Sequence, residues 1–223
     1  MLTRLIPTLA ACALFSSGVS AQTAGLAGKM EGDLYVSATG EFKFSSPVLP
    51  ELGGTITDTE NVVTFNDNFN LHVSIACFPQ DASQKWEHET RGRRDYLLYF
   101  FTTFVLADFR GRFPGSRIDS VRYVPELMEG ALIAYAELPG GSYFEGRNRV
   151  LGNPDTPPVT AKRGTLLFVR AGHVYVISSE LAERATERST YQQPVEKENT
   201  VLADRLTALT GRFIFPSPKQ HVP

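Results

Sequence analysis

Tyr35-Val36-Ser37-Ala38-Thr39-Gly40-Glu41-Phe42-Lys43-Phe44-Ser45-Ser46-Pro47 reads as two short strands joined at Thr39-Gly40. Tyr35, Phe42 and Phe44 hold the bulky apolar positions, and Pro47 ends the run. Pro50 and Gly53-Gly54 then mark an irregular connection. Residues 55–58 and 62–65 are β-branched and alternating, and Asn66-Asp67-Asn68 supplies a turn. In the strand that follows, Leu71, Val73, Ile75 and Cys77 share one face while His72, Ser74 and Ala76 share the other, because side chains alternate with period two. Pro79 closes it.

Asp81 or Ser83 is placed to cap a long helix, polar in its first turns and apolar nearly all round over 96–109. Gly92 weakens or bends it, and Gly111 and Pro114-Gly115 end it. Ile118, Val121 and Tyr123, then residues 132–138, predict two antiparallel strands turning within 125–130. The segment 139–163 is rich in Gly and Pro and reads as the longest loop of the chain. Residues 165–169 and 174–178 form a hairpin across Ala171-Gly172, apolar enough to be central in a sheet. Past Pro194, the spacing of Leu202, Leu206, Leu209 and Phe213 predicts an amphipathic helix ending near Gly211.

This order of strands, long helix, strands and closing helix resembles the PsbP-like fold, named for an extrinsic subunit of photosystem II and shared with a Ran-binding nuclear import factor. The opening 35–47 is similar to the way such domains begin, and 206–215 to their last helix. The resemblance implies an α+β protein, an α/β/α sandwich around a mainly antiparallel sheet. It also implies a binding or assembly role more than catalysis. It transfers no functional residue, and fold by itself does not assign function.

The N-terminus carries a different message. Arg4, the apolar run 5–15 and Val19-Ser20-Ala21 have the layout of a secretory signal peptide cleaved after Ala21. The apolar run is shorter than the roughly 20 residues a spanning helix needs. Leu9-Ala10-Ala11-Cys12 resembles a lipobox, so a lipid anchor at Cys12 is the second reading, behind soluble export to the periplasm or the medium. The domain plan is then a signal peptide at 1–21, a flexible lead at 22–33, a single α+β domain at 34–215 and a tail at 216–223. Net charge is −2, one unit more negative once Arg4 is removed, so no basic field draws in nucleic acid or anionic lipid. With Cys12 gone, Cys77 has no partner for an intramolecular disulfide and is expected to be a small buried core residue.

Candidate chemistry is sparse. His72 and Cys77 lie five residues apart in one strand, on opposite faces, and cannot form a nucleophile–base pair from there. Histidines lack the i, i+4 pairing of a zinc site, and Asn66-Asp67-Asn68-Phe69-Asn70 lacks the glycine and closing Glu of a calcium loop, so neither metal nor cofactor is expected. No nucleophile elbow, phosphate loop or dinucleotide fingerprint occurs. Arg91, Arg93 and Arg94 form a basic patch beside the aromatic run. Tyr96, Tyr99 and Phe101 are the candidate contact residues, since an all-round apolar helix is either covered by a second layer or left for a partner. The readings this leaves are a noncatalytic envelope module binding another envelope protein, a hydrolase with an unrecognised site, or a lipid or small-ligand carrier. A deep cavity beside Phe100 and Phe104 discriminates in favour of the carrier.

Overall fold

Alternation of side chains along the strands builds a three-layer α+β structure. The computed structural model describes residues 25–145, 158–187 and 190–216. Strands β4 (Thr55–Asp58), β5 (Val62–Asn66), β6 (His72–Pro79), β7 (Arg117–Val124), β8 (Ala131–Pro139), β9 (Thr160–Arg170) and β10 (His173–Glu180) form a seven-stranded sheet. Its order is β4-β5-β6-β10-β9-β8-β7, and every neighbouring pair is antiparallel. The β9–β10 hairpin turns on Ala171 (φ 48°) and Gly172 (φ 75°), the doubly left-handed two-residue turn whose twist matches the strands it joins.

A smaller sheet, ordered β1-β2-β3-β11, comprises β1 (Lys29–Glu31), β2 (Leu34–Val36), β3 (Lys43–Ser45) and β11 (Phe213–Ile214). Together with the closing helix α5 (Val195–Thr210) it covers one face of the large sheet. Tyr35, Phe44, Leu202 and Leu206 there meet Ile75, Cys77, Ile133, Leu166 and Phe168. On the opposite face, the chain from α1 (Ala82–Arg91) through α2 (Arg93–Phe100), a π-helical turn (Phe101–Val105) and α3 (Leu106–Arg112) buries Leu97, Phe100 and Leu106 against Leu132, Leu167, Val174 and Val176. A short helix α4 (Glu183–Thr186) follows β10.

Four expectations are corrected. The lead at 22–33 contains β1, whose residues pair with β2. Ala27 and Gly28 donate their N–H groups to the Asp58 carboxylate at 2.8 and 2.7 Å. Lys29-Met30-Glu31 is too short and too polar to show a period. The expected loop 139–163 is cut short because β9 begins at Thr160, pairing with Pro139. Its polar opening is absorbed by ion pairs on both faces, Lys162 with Asp119 at 2.9 Å and Arg163 with Glu180 at 3.2 Å. Phe213 leaves the helix and pairs with Phe44 as part of β11. The single long helix is broken at Gly92, whose φ of 76° and ψ of 164° are outside helical values. Asp81, as expected, caps α1 by accepting the Gln84 N–H at 2.8 Å. Residues 1–24, which include the expected signal peptide and Cys12, lie outside the described residues, as do 146–157, 188–189 and 217–223.

Cys77 is buried and in no disulfide among the described residues, and burial pushes its thiol up to about 11, far from a reactive thiolate. No described helix is long and apolar enough to cross a membrane.

Candidate functional site

The helical layer lies over β8, β9 and β10 and stops short of the outer strands β5 and β6. The gap is a groove of about 710 Å³ between the helices and the sheet, within the size range of small-molecule sites. Its wall is apolar. Phe100, Phe104, Val105 and Phe109 face it from the helices, with the Phe100 and Phe104 rings 4.8 Å apart.

The π turn makes that wall. Phe100 and Phe109 are separated by nine residues, roughly two and a half turns of ideal α-helix, which sets them on opposite faces. In the structure the Leu106 N–H bonds to the Phe101 carbonyl, five residues back. The wider turn absorbs about one residue's rotation and brings both rings to the same groove. Thr102 supports the local distortion by donating its hydroxyl to the Leu98 and Tyr99 carbonyls at 2.9 and 3.1 Å. Counted at a constant period, the aromatic run looked apolar all round; the π turn shifts its phase.

The floor is built in rows across the sheet. Val62, Ala76, Val176 and Leu167 stand in register, the first three lining the groove. The next row is entirely hydroxylic: Thr64 pairs with Ser74, Ser74 with Ser178, and Ser178 with Thr165. Beyond it come the polar ends, where His72 pairs with Asn66 and Arg163 with Glu180. Thr165 Oγ1, Ser178 Oγ and Arg163 Nε have no hydrogen-bond partner among the described residues, although Thr165 is only 1 % and Ser178 8 % exposed. Leaving buried polar atoms unpaired costs about 1–3 kcal/mol each; Gln84 Oε1, Tyr96 Oη, Asn199 Oδ1 and the ion-paired Lys162 Nζ are also without a hydrogen-bond partner among the described residues, but Arg163, Thr165 and Ser178 stand side by side on the groove floor.

The polar end is held rigidly. Glu180 accepts from the Ser142 hydroxyl at 2.6 Å, the Tyr143 N–H at 3.0 Å and the Arg163 guanidinium at 3.2 Å. Tyr143 stacks on His72 with ring centroids 4.4 Å apart, and His72 Nδ1 lies 2.5 Å from Asn66 Oδ1. Burial, aided by the nearby Arg163 charge, lowers the His72 pKa to about 4, so the imidazole is neutral at physiological pH. At the rim Arg112 reaches Asp108 at 2.7 Å.

The residues singled out from sequence fall elsewhere. Tyr96 and Phe101 are fully buried in the helix–sheet core and present no contact surface. Tyr99 is half-buried under the Arg91 guanidinium, 4.6 Å from its ring centroid, and Arg91 also pairs with Glu87 at 2.5 Å. Arg93 donates to the Glu129 carbonyl at 2.5 Å, and Arg94 is exposed. None of the six lines the groove. Phe100 and Phe104, named in sequence as markers of a cavity, do. The hydroxyl row carried no sequence signal, since its members come from four separate strands.

No family model matches the chain, and no curated protein matches it. Among solved structures, cyanobacterial PsbP from Synechocystis is similar with a TM-score of 0.48 and 11 % identity, over 88 % of this chain and 98 % of that one. A crystal structure from Bacteroides thetaiotaomicron is similar with a TM-score of 0.45 and 11 % identity over 87 % of this chain, which spans about half, 52 %, of that one. No residue role or partner is carried across from either.

Proposed function

We propose that this protein is a noncatalytic binding module of the cell envelope or the medium that holds a small amphipathic ligand in the groove between its helical layer and the outer strands of its sheet. The observation that carries this reading is the roughly 710 Å³ groove beside Phe100 and Phe104, with a phenylalanine wall on the helix side, bordered by Asp81, Gln84, Asp108 and Arg112, and buried polar atoms without partners on the sheet side. Such a combination of an apolar wall and a few convergent polar groups is what small-ligand sites share. The hydrolase reading draws no support from the groove, because His72 is bonded to Asn66 rather than to a serine. A protein partner docking on Tyr96 or Phe101 is disfavoured by their burial. Export rests on the signal-peptide layout of 1–21, and mass spectrometry of the secreted protein should find Gln22 at its N-terminus.

Ligand binding is tested with a neutral apolar dye, N-phenyl-1-naphthylamine, titrated into the processed protein. Saturable binding should be lost in Ala76→Phe, which fills the centre of the floor, and in Thr64→Phe, which fills the more open side near β5. A wild-type protein that fails to bind the dye, or binding indifferent to both folded variants, removes the reading.

A further inference from the structure

Resting on the groove reading above, the chemistry of the floor narrows the class of ligand. Every ionised side chain lining the groove already has its countercharge or its hydrogen bond. Arg163 faces Glu180 at 3.2 Å, Arg112 faces Asp108 at 2.7 Å, and Asp81 caps α1. A carboxylate entering beside Arg163 would therefore meet Glu180 as a second negative charge, and an ammonium would meet Arg163. Like charges brought together in a water-poor site cost several kcal/mol.

What stays unsatisfied is neutral hydrogen-bonding capacity. Arg163 Nε offers one N–H, and the Thr165 and Ser178 hydroxyls each donate and accept. The two hydroxyls are register partners on β9 and β10, and Arg163 precedes Thr165 by two residues on the same face of β9. The apolar dimension matches an elongated tail. His72, Ser74, Ala76 and Phe78 all line the groove, so it follows β6 from residue 72 to residue 78, about 20 Å at the strand rise, with Phe100, Phe104 and Phe109 opposite.

We propose that the groove selects an amphipathic molecule with an uncharged, oxygen-bearing head, such as an alcohol, ester or amide, seated on Arg163, Thr165 and Ser178, and an alkyl or acyl tail lying under the phenylalanine wall. Titration calorimetry at neutral pH with n-octanol, octanoate and octylammonium, which share one tail and differ in head charge, tests it on the processed protein. Octanol binds, and both ions bind at least about tenfold more weakly. Thr165→Val and Ser178→Ala each weaken octanol by about three- to tenfold, the worth of one hydrogen bond, while both variants keep the cooperative melting transition of the folded protein. Octanoate binding as tightly as octanol, or all three binding alike with no effect of either variant, overturns the neutral-head assignment. If the dye still binds in those cases, the groove itself stands as a ligand site. Loss of all four ligands in the wild type overturns both.

Discussion

The two faces of the seven-stranded sheet are built from alternate residues of the same strands, yet one is closed and the other is not. Under α5 and the small sheet, aromatic packing is continuous. Phe168 and Tyr175 stack at 4.8 Å with their planes 2° apart, and Phe213 meets Phe44 at 4.8 Å. Charge on this face is paired even where it is deeply buried. Lys162, fully buried, reaches Asp119 at 2.9 Å, and Arg184 grips Glu198 with two contacts of 2.6 Å while touching Glu137 at 3.2 Å. Beneath α2 and α3 the apolar half is packed as well, but a groove remains between the helices and the sheet toward β5 and β6, and Arg163, Thr165 and Ser178, with unpartnered polar atoms clustered together, line it. The same fold thus carries a face finished for stability and a face left unfinished in a way that suits a ligand.

The contrast is broken most directly at the closed face. Phe168→Ala, which empties the space between Tyr175 and Phe213, should cost about 3–5 kcal/mol in urea denaturation. A loss below about 1 kcal/mol would mean that this layer is loosely packed. Arg184→Ala should cost about 3 kcal/mol, because it strips the main countercharge from Glu198, which is 2 % exposed. Combining Arg184→Met with Glu198→Leu should recover most of that loss; failure to recover it would mean that the pair does more than neutralise itself.

His72 sharpens the comparison from the groove side. Its native pKa of about 4 lies below the unfolded value of about 6.5. Between those limits the unfolded chain binds a proton that the native protein does not, so stability falls as pH drops from about 6.5 to about 4. Comparing wild type with His72→Gln at pH 7 and pH 4.5, the wild type should lose about 2 kcal/mol more on acidification. Equal pH dependence in the two proteins would place the imidazole in contact with solvent. The smallest effect is expected at the unfinished polar atoms. Thr165→Val removes a buried hydroxyl that has no partner, and should leave stability within about 1 kcal/mol of wild type or raise it. A loss of about 2 kcal/mol or more would show that this hydroxyl is already satisfied and would dissolve the contrast between the faces.

Much of the architecture was legible because it depends on local rules. Strict alternation in β6 placed Val73, Ile75 and Cys77 in the core and Ser74 and Ala76 on the groove side. Ala171-Gly172 announced its hairpin, and Asp81 its helix cap. The residues of the groove were not legible in the same way. Tyr96 and Phe101 were chosen because they are large and adjacent, but a helix on a sheet buries its largest rings first. The groove wall needed the π turn, which nothing in the amphipathic period betrays.

The amino-acid order alone determined the element sequence, the inward faces of the strands and the sealed Cys77, since each follows from neighbours a few residues apart. Only the tertiary structure decided that Thr64, Ser74, Ser178 and Thr165 stand in one row, that Arg163 is neutralised by Glu180, and that Phe100 and Phe109 share a wall. Those facts depend on sheet order and on one turn of anomalous helix. Strand pairing joins residues more than a hundred positions apart, and no short-range pattern in the chain encodes which strand will lie beside which.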